Sequence, residues 1–401
     1  MNRYTLIVLI ALGLAGFSNP SVGQVQMSNN AFNPAMSLIL DGKFAAYSGD
    51  FAGYDFAGFP LDAEVSPPPE GLSLGESELV LSANVDDLFY GFMTVALHQD
   101  EGSTEVELEE AWIETLSLPA GLGVKAGAMY SEIGYQNSRH PHSWDFVDAP
   151  LPYAVMLGGN FSDTGVQLRW LAPTDLMLEM GAEVLRGESY PASGAGNSGT
   201  GAWTAFAHLG GDLGDSQSWR VGLSYLSGKV VDREYDPAVG PGSDLGAFTG
   251  DSSVAIVDAV WKWAENGNPR QRNLVVQAEY LVRQEDGLLE MGGDNFNGTS
   301  PYDISQDGFY IQGAYQFRPS WRVGLRYDRV SADNAALLPP LEGLLETAGS
   351  PSRITAMLDY SRSEFSRLRF QVATLDNGRS SDSQVMLQYI MSIGAHGAHQ
   401  F

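Results

Sequence analysis

The segment "YQNSRHPHSWDFVDAPLPYAVMLGGN", residues 135–160, is the longest polar and aromatic connection in the chain, and it carries Arg139, His140, His142, Asp145 and Asp148. Imidazole and carboxylate are ligands that suit zinc or copper, so a His-Pro-His with nearby Asp is a candidate metal site, although its spacing matches no known structural zinc motif. His396 and His399, in "GAHGAHQF", form a second pair. A divalent cation at His140, His142, His396 and His399 is the one cofactor these residues suggest. The same segment supplies charge of both signs, and a few fixed charges at a narrow place in an aqueous passage set its selectivity. The competing reading is a surface loop packed by its own aromatics. Chemistry of the enzymatic kind has little support. His208 shares a face with Thr204 and Phe206 in "AWTAFAHLG", but no G-x-S-x-G nucleophile accompanies it. "GLLEMGGDNFNG" lacks the calcium-loop spacing of an EF-hand. A non-enzyme is expected.

The elements that must position these groups have a period of two. In "GVQLRWLAP", Val166, Leu168 and Trp170 alternate with Gln167 and Arg169; in "LMLEMGAEV", Leu176, Leu178, Met180, Ala182 and Val184 alternate with Glu179 and Glu183. "WRVGLRYDRV" sets Val323, Leu325 and Tyr327 against Arg322, Arg326 and Asp328, and "SQVMLQYIMSIG" sets Val385, Leu387, Tyr389 and Ile393 against a mixed row. Period-two alternation marks strands with two different surroundings. Each run lasts roughly ten residues, the length of a tilted strand crossing a bilayer, with aromatics such as Trp219, Trp261 and Trp321 near the ends where interfacial girdles belong. Short connections ("VDDLF", "LPAG", "APTD", "GDSQ", "ENGNPRQ", "RPS", "RSEFS") alternate with longer ones at 49–71, 135–160, 188–200, 229–251, 287–306 and 332–351; "DEGS" and "NGRSSD" are tight where long loops are expected. The fold class that follows is all-β: a transmembrane antiparallel β-barrel of about sixteen strands from 36–48 to 384–396, with short periplasmic turns and long extracellular loops. Closure is required because every backbone N–H and C=O must be paired within hydrocarbon. The apolar row then faces outer-membrane lipid and the other row faces a water-containing lumen. That inner row holds Glu78, Arg169, Glu179, Glu183, Glu279, Arg322, Arg326 and Arg369, with Glu107 and Glu109 joining it. Basic residues concentrate late in the chain, so one wall is expected to be positive and the opposite one negative.

Composition bounds the rest. Residues 1–23 read as a signal peptide: Arg3, the apolar run Leu6 to Gly16, and small residues at Ser21 and Gly23, with cleavage expected near Gly23/Gln24. Residues 24–401 are then one barrel domain, in which 24–48 is a first strand, a plug or a periplasmic tether. No Cys is present, which excludes disulfides and thiolate metal sites. The formal net charge of −27 argues against nucleic acid and against anionic surfaces, and it opposes anion selectivity: 22 Lys+Arg stand against 49 Asp+Glu.

Three stretches carry family resemblances. The terminal aromatic Phe401 resembles the assembly signal by which outer-membrane barrels are recognised, which implies the barrel-assembly machinery as a partner and lipopolysaccharide as surroundings. "EVELEEAWIETLSLPAGLGVKAGAMYSEIGYQN" (105–137) resembles the paired strands early in the phosphate-selective and related porins. "NPAMSLILDG" (33–42) and "GAHGAHQF" resemble the ends of uncharacterised envelope proteins of Gram-negative bacteria, a group for which a link to zinc supply is conceivable. The porin resemblance implies passive diffusion of small hydrophilic solutes, with mild cation preference from the acidic mouth, and makes a homotrimer the assembly to test. It also implies that one long loop folds into the lumen; 135–160 fits by length and position, with Arg139, His140, His142, Asp145, Asp148, Glu107, Glu109, Arg169, Glu179, Glu183, Arg322 and Arg326 at or near the constriction. The rival reading is an outer-membrane protein that binds zinc or assists its uptake. TonB-dependent receptors match less well, because the chain is too short for their barrel plus plug.

Overall fold

Along Trp321–Asp333, Val323, Leu325 and Tyr327 are 40%, 65% and 38% exposed, whereas Arg326 and Asp328, alternating with them, are 2% and 0% exposed. A strand that shows its oily row and hides its charges is inverted relative to a water-soluble sheet, where buried charge is rare. The same inversion recurs at Val166 and Leu168, at Val221, Leu223 and Tyr225, and at Leu387, Tyr389 and Ile393, all exposed. An outer face of this kind is made for hydrocarbon.

The computed structural model describes residues 34–49, 56, 59, 67–100, 103–193, 199–234, 245–292, 297–333 and 350–394. The expected signal peptide (1–23), His396, His399 and Phe401 lie outside them. The described strands are β1 (Ala35–Tyr47), β2 (Gly71–Leu74), β3 (Ser77–Asn84), β4 (Phe89–Asp100), β5 (Ser103–Thr115), β6 (Leu122–Tyr130), β7 (Ser162–Leu171), β8 (Met177–Leu185), β9 (Ala202–Asp212), β10 (Gln217–Glu234), β11 (Leu245–Ala264), β12 (Asn273–Gly292), β13 (Asn297–Arg318), β14 (Trp321–Asp333), β15 (Ser352–Ser363), β16 (Ser366–Asp376) and β17 (Ser381–Gly394). From β3 to β17 each strand pairs antiparallel with the next. β17 then pairs with β1 from Ser37↔Gly394 to Tyr47↔Gln384, and β1 pairs with both β2 and β3, which lie in line on its other side. The ring therefore closes with sixteen staves, β2 and β3 forming one interrupted stave. Within 24–48, residues 35–47 are a stave.

Two boundaries differ from the sequence reading. The stretches 229–251 and 287–306 were expected as loops, yet they belong largely to β10–β13, strands of 18 to 22 residues. At ~3.3 Å per residue a twenty-residue strand is ~65 Å long, far more than the ~25 Å apolar band of such a barrel. The surplus is paired backbone that carries the wall past the membrane. The inner row also differs from expectation, because it is not uniformly polar. Val254, Ile256, Leu281, Tyr310 and Val330 are buried in one apolar cluster inside the barrel.

What they pack against is the segment between β6 and β7. It contains α1 (Leu151–Leu157), every residue of which is buried. Pro150 caps its start and Pro152 lies in its first turn, where a missing N–H costs nothing; Gly158, at φ 68°, ends it in the left-handed region. α1 packs on β12, β13 and β14, and Phe56 and Phe59 join the same cluster. The segment thus packs against the inner wall, and the in-folded part extends from Ser131 to Phe161.

Candidate functional site

The in-folded segment is fastened to the inner wall at four places, mostly by wall carboxylates and guanidinium groups that take up its orphan backbone groups. Glu183 on β8 accepts hydrogen bonds from Ser131 Oγ and from the N–H of Glu132 (3.1 Å), and is itself held by Gln167 (2.8 Å) and Thr204 (2.6 Å). Glu279 on β12 accepts from the N–H groups of Tyr135 (3.1 Å) and Gln136 (2.9 Å) and from Tyr153 Oη (2.8 Å), while Arg220 donates to the Gly134 carbonyl (2.6 Å).

The third fastening is at His140 and His142. Its geometry comes from an irregularity in β5. Thr94 opposes Glu110 and Val95 opposes Leu108, so Glu109 is an extra residue, a β-bulge. The bulge breaks alternation and brings the neighbours Glu109 and Glu110 to the same imidazole. His140 Nε2 lies 2.8 Å from Glu110 Oε2, and its Nδ1 lies 3.5 Å from Glu109 Oε2 and 3.4 Å from Glu78 Oε2 on β3. His142 Nδ1 lies 2.6 Å from Glu78 Oε1. Burial by itself would lower the pKa of His140; the Glu109 and Glu110 carboxylates outweigh it and hold the imidazole well above its ordinary value.

The fourth fastening is a two-aspartate clamp. Asp145 pairs with Arg322 (2.8 Å), which also holds Asp359 (2.7 Å). Asp148 pairs with Arg326 (2.8 Å) and Arg353 and accepts from Gln371 (2.9 Å). Arg369 donates to the Trp144 carbonyl (2.7 Å), and Asp328 accepts from the N–H of Leu151 (3.1 Å). Burial would raise both segment aspartates, but the guanidinium groups prevail: Asp145 is lowered by Arg322 first, and Asp148 is brought to about 2 by Arg353 and Arg326.

Of the residues expected at the constriction, Arg139, His140, His142, Asp145, Asp148, Glu109, Glu183, Arg322 and Arg326 are therefore on, or in contact with, the in-folded segment. Arg139 is half-buried and stacks over the Tyr135 ring at 4.2 Å, beside Arg220 and Lys262. Arg169 and Glu179 stand apart near the short-turn end: Arg169 pairs with Glu114 and, at 3.8 Å, with Glu179, which also faces His208 at 3.4 Å. Glu107 is exposed on β5 on the other side of the bulge, where it opposes Ala96. Sequence reading missed three contributors. Glu110 is hidden by the bulge, Glu76 sits in the break between β2 and β3, and Arg353 follows a long connection at the start of β15, although its alternation with Ile354 was there to be seen. The described β3–β5 arc is acidic and faces both histidines of the in-folded segment, whereas the β10–β16 arc carries Arg220, Lys262, Arg322, Arg326, Arg353, Arg367 and Arg369 interleaved with Asp258, Glu279, Asp328 and Asp359, so it is mixed and not uniformly positive.

No protein-family model matches the chain. An uncharacterized protein of Aquifex aeolicus (strain VF5) is 30% identical over 403 residues, covering 93% of this chain and 81% of that protein. Among solved structures, an anion-selective porin from Comamonas acidovorans matches with a TM-score of 0.56 at 11% identity, over 90% of this chain and 99% of that one. OprB of Pseudomonas putida matches with a TM-score of 0.55 at 15% identity, over 90% and 94% of the two chains. The outer membrane channel DcaP of Acinetobacter baumannii gives 0.54 at 15%, over 90% and 96%. At these identities the likeness is one of fold, and the fold is that of the outer-membrane porins.

Proposed function

The chain belongs to one family with the Aquifex aeolicus protein and has the outer-membrane porin fold, and from this premise we propose that it is an outer-membrane channel for passive diffusion of small hydrophilic solutes, narrowed by its own segment 131–161. The observation that carries this reading is that the segment is pinned by charged wall residues along its length, so that the constriction is a built part of the barrel. An acidic β3–β5 arc opposite a mixed arc that carries most of the described lumen cations supports a transverse field that orients dipolar solutes. The net charge of −27 supports a mild cation preference at the mouth. Outer-membrane lipid covers the apolar belt, and a homotrimer is the assembly to test by size in detergent.

Planar-bilayer recording tests the proposal. Purified, heat-modifiable protein is expected to give stepwise current, with a reversal potential in a KCl gradient that favours K+. Arg139→Ala removes a half-buried cation of the in-folded segment and should raise that preference; Glu132→Gln, whose carboxylate faces Lys125 at 3.3 Å, should lower it. Folded protein that inserts and carries no current would overturn the channel reading.

A further inference from the structure

Four buried polar atoms in the His140 cluster make no hydrogen bond: Glu76 Oε1, Glu78 Oε2, Glu109 Oε2 and His140 Nδ1. These are not scattered orphans. One ligand atom from each of Glu76, Glu78, Glu109 and His140 can be taken so that all lie within 4.8 Å of one another. The Glu78 side chain is 0% exposed, and those of Glu109 and His140 are 7% and 14% exposed. A buried carboxylate oxygen without a hydrogen bond is costly, and here three converge, two of them sharing one long ion-pair contact to His140 Nδ1 at 3.4 and 3.5 Å. Among the described residues no Lys or Arg forms an ion pair with Glu76, Glu78, Glu109 or Glu110; the groups that do are His140 and His142.

The far side of each ligand is already engaged. His140 Nε2 faces Glu110 Oε2 at 2.8 Å, an arrangement in which Nε2–H donates outward and Nδ1 is turned toward the carboxylates, where it can ligate an ion by giving up its proton. Glu110 Oε1 is in turn held by Trp112 Nε1 (3.0 Å) and the N–H of Tyr130 (3.2 Å). Glu109 Oε1 accepts from Tyr130 Oη (3.0 Å), and Glu78 Oε1 meets His142 Nδ1 (2.6 Å). A carboxylate–histidine pair behind an inward-facing imidazole nitrogen, with further hydrogen bonds orienting the ligating carboxylates, is how proteins aim ligands at a metal ion.

We propose that Glu76, Glu78, Glu109 and His140 bind one divalent first-row transition ion of the zinc or manganese class, with Glu110 and His142 orienting the ligands. One imidazole among carboxylates disfavours magnesium and calcium, which take oxygen ligands, and the absence of thiolate or thioether disfavours copper(I). Three ligands belong to the wall and His140 to the in-folded segment, so the ion ties the segment to the β3–β5 arc. The site stands independently of the channel reading, because its ligands are the same whether or not the barrel conducts.

The test uses the whole barrel in detergent, stripped with a chelator and dialysed against Zn2+ or Mn2+, with bound metal measured by elemental analysis. One equivalent per chain is expected. His140→Gln and Glu78→Gln should each abolish retention after desalting, and Glu110→Gln should weaken affinity 10- to 100-fold. His208→Gln, outside the cluster, should retain the full equivalent. His140 lies off the barrel wall, so its variant remains informative if Glu78→Gln fails to fold, with folding checked by heat-modifiable migration. X-ray absorption of the loaded protein should show an oxygen-rich shell with a single imidazole. Less than a tenth of an equivalent bound, binding untouched by His140→Gln in folded protein, or Ca2+ and Mg2+ binding as tightly as Zn2+ would each overturn the proposal.

Discussion

Asp148 shows how one side chain can hold a chain segment inside a barrel. Its carboxylate sits between Arg326 and Arg353, which are 2% and 1% exposed. Asp148→Asn removes one of the two carboxylates, Asp148 and Asp328, that face Arg326 and Arg353, a change bounded by the ~3–5 kcal/mol that breaking a buried pair costs. The expected outcome is faster proteolytic cleavage within 131–161 while the barrel stays folded; cleavage at the wild-type rate would show that the clamp does not hold the segment. The pH dependence has a definite sign. A carboxyl lowered from its ordinary 3.8 to about 2 contributes stability that is fully present above pH ~4 and is lost as pH falls through about 2. The difference amounts to roughly 2 kcal/mol. The difference in segment proteolysis between wild type and Asp148→Asn should therefore be constant from pH 7 to about 4 and shrink only below it.

At the scale of elements, the inner face of this barrel is shared between two solvents. α1 is an apolar helix in a place where water was expected, and the wall answers with Val254, Ile256, Leu281 and Val330. Met156 is fully buried there. Met156→Asp places an unpaired carboxylate in that seat, where a buried charge without a partner is strongly disfavoured. The helix should undock, which widens the passage: single-channel conductance is expected to rise and to become noisy, with heat-modifiable migration unchanged. Unaltered conductance in that variant would mean that α1 does not border the path taken by ions. The β5 bulge works at the same scale. One extra residue turns adjacent glutamates toward one histidine, something an unbroken strand cannot do because its neighbours point to opposite faces.

At the scale of the whole molecule, stability depends on the outer row meeting hydrocarbon all the way round the ring. Leu325, at 65% exposure in the middle of β14, is a direct probe. Leu325→Arg should cost ~2–4 kcal/mol if that position lies near the bilayer midplane, and less yield of folded, heat-modifiable barrel is the expected result. Leu325→Val should assemble normally. Equal yields from the two variants would show that this face does not lie in lipid. Ring closure also explains why residues far apart in sequence cooperate: Lys43 and Gln388 meet across the β1–β17 seam, and Asp41 joins them by accepting from Gln388 Nε2 at 2.9 Å.

Much of this was legible in the sequence. Alternation is a property of each strand alone, so the row of Val323, Leu325 and Tyr327 against Arg326 and Asp328 already contained the outward face and the inward charges, and the repetition of such rows a barrel of about sixteen strands; the in-folding of 135–160 was implied by the porin resemblance and not by alternation. What alternation cannot express is anything that breaks it or spans the lumen. The bulge at Glu109 is local to the β4–β5 hairpin, but its meeting with His140, the break at Glu76, the apolar seat for α1 and the pairing of Asp148 with Arg353 depend on contacts between residues 30 to 205 positions apart. Those contacts exist only once the ring has closed, because closure alone decides which wall each part of the in-folded segment meets.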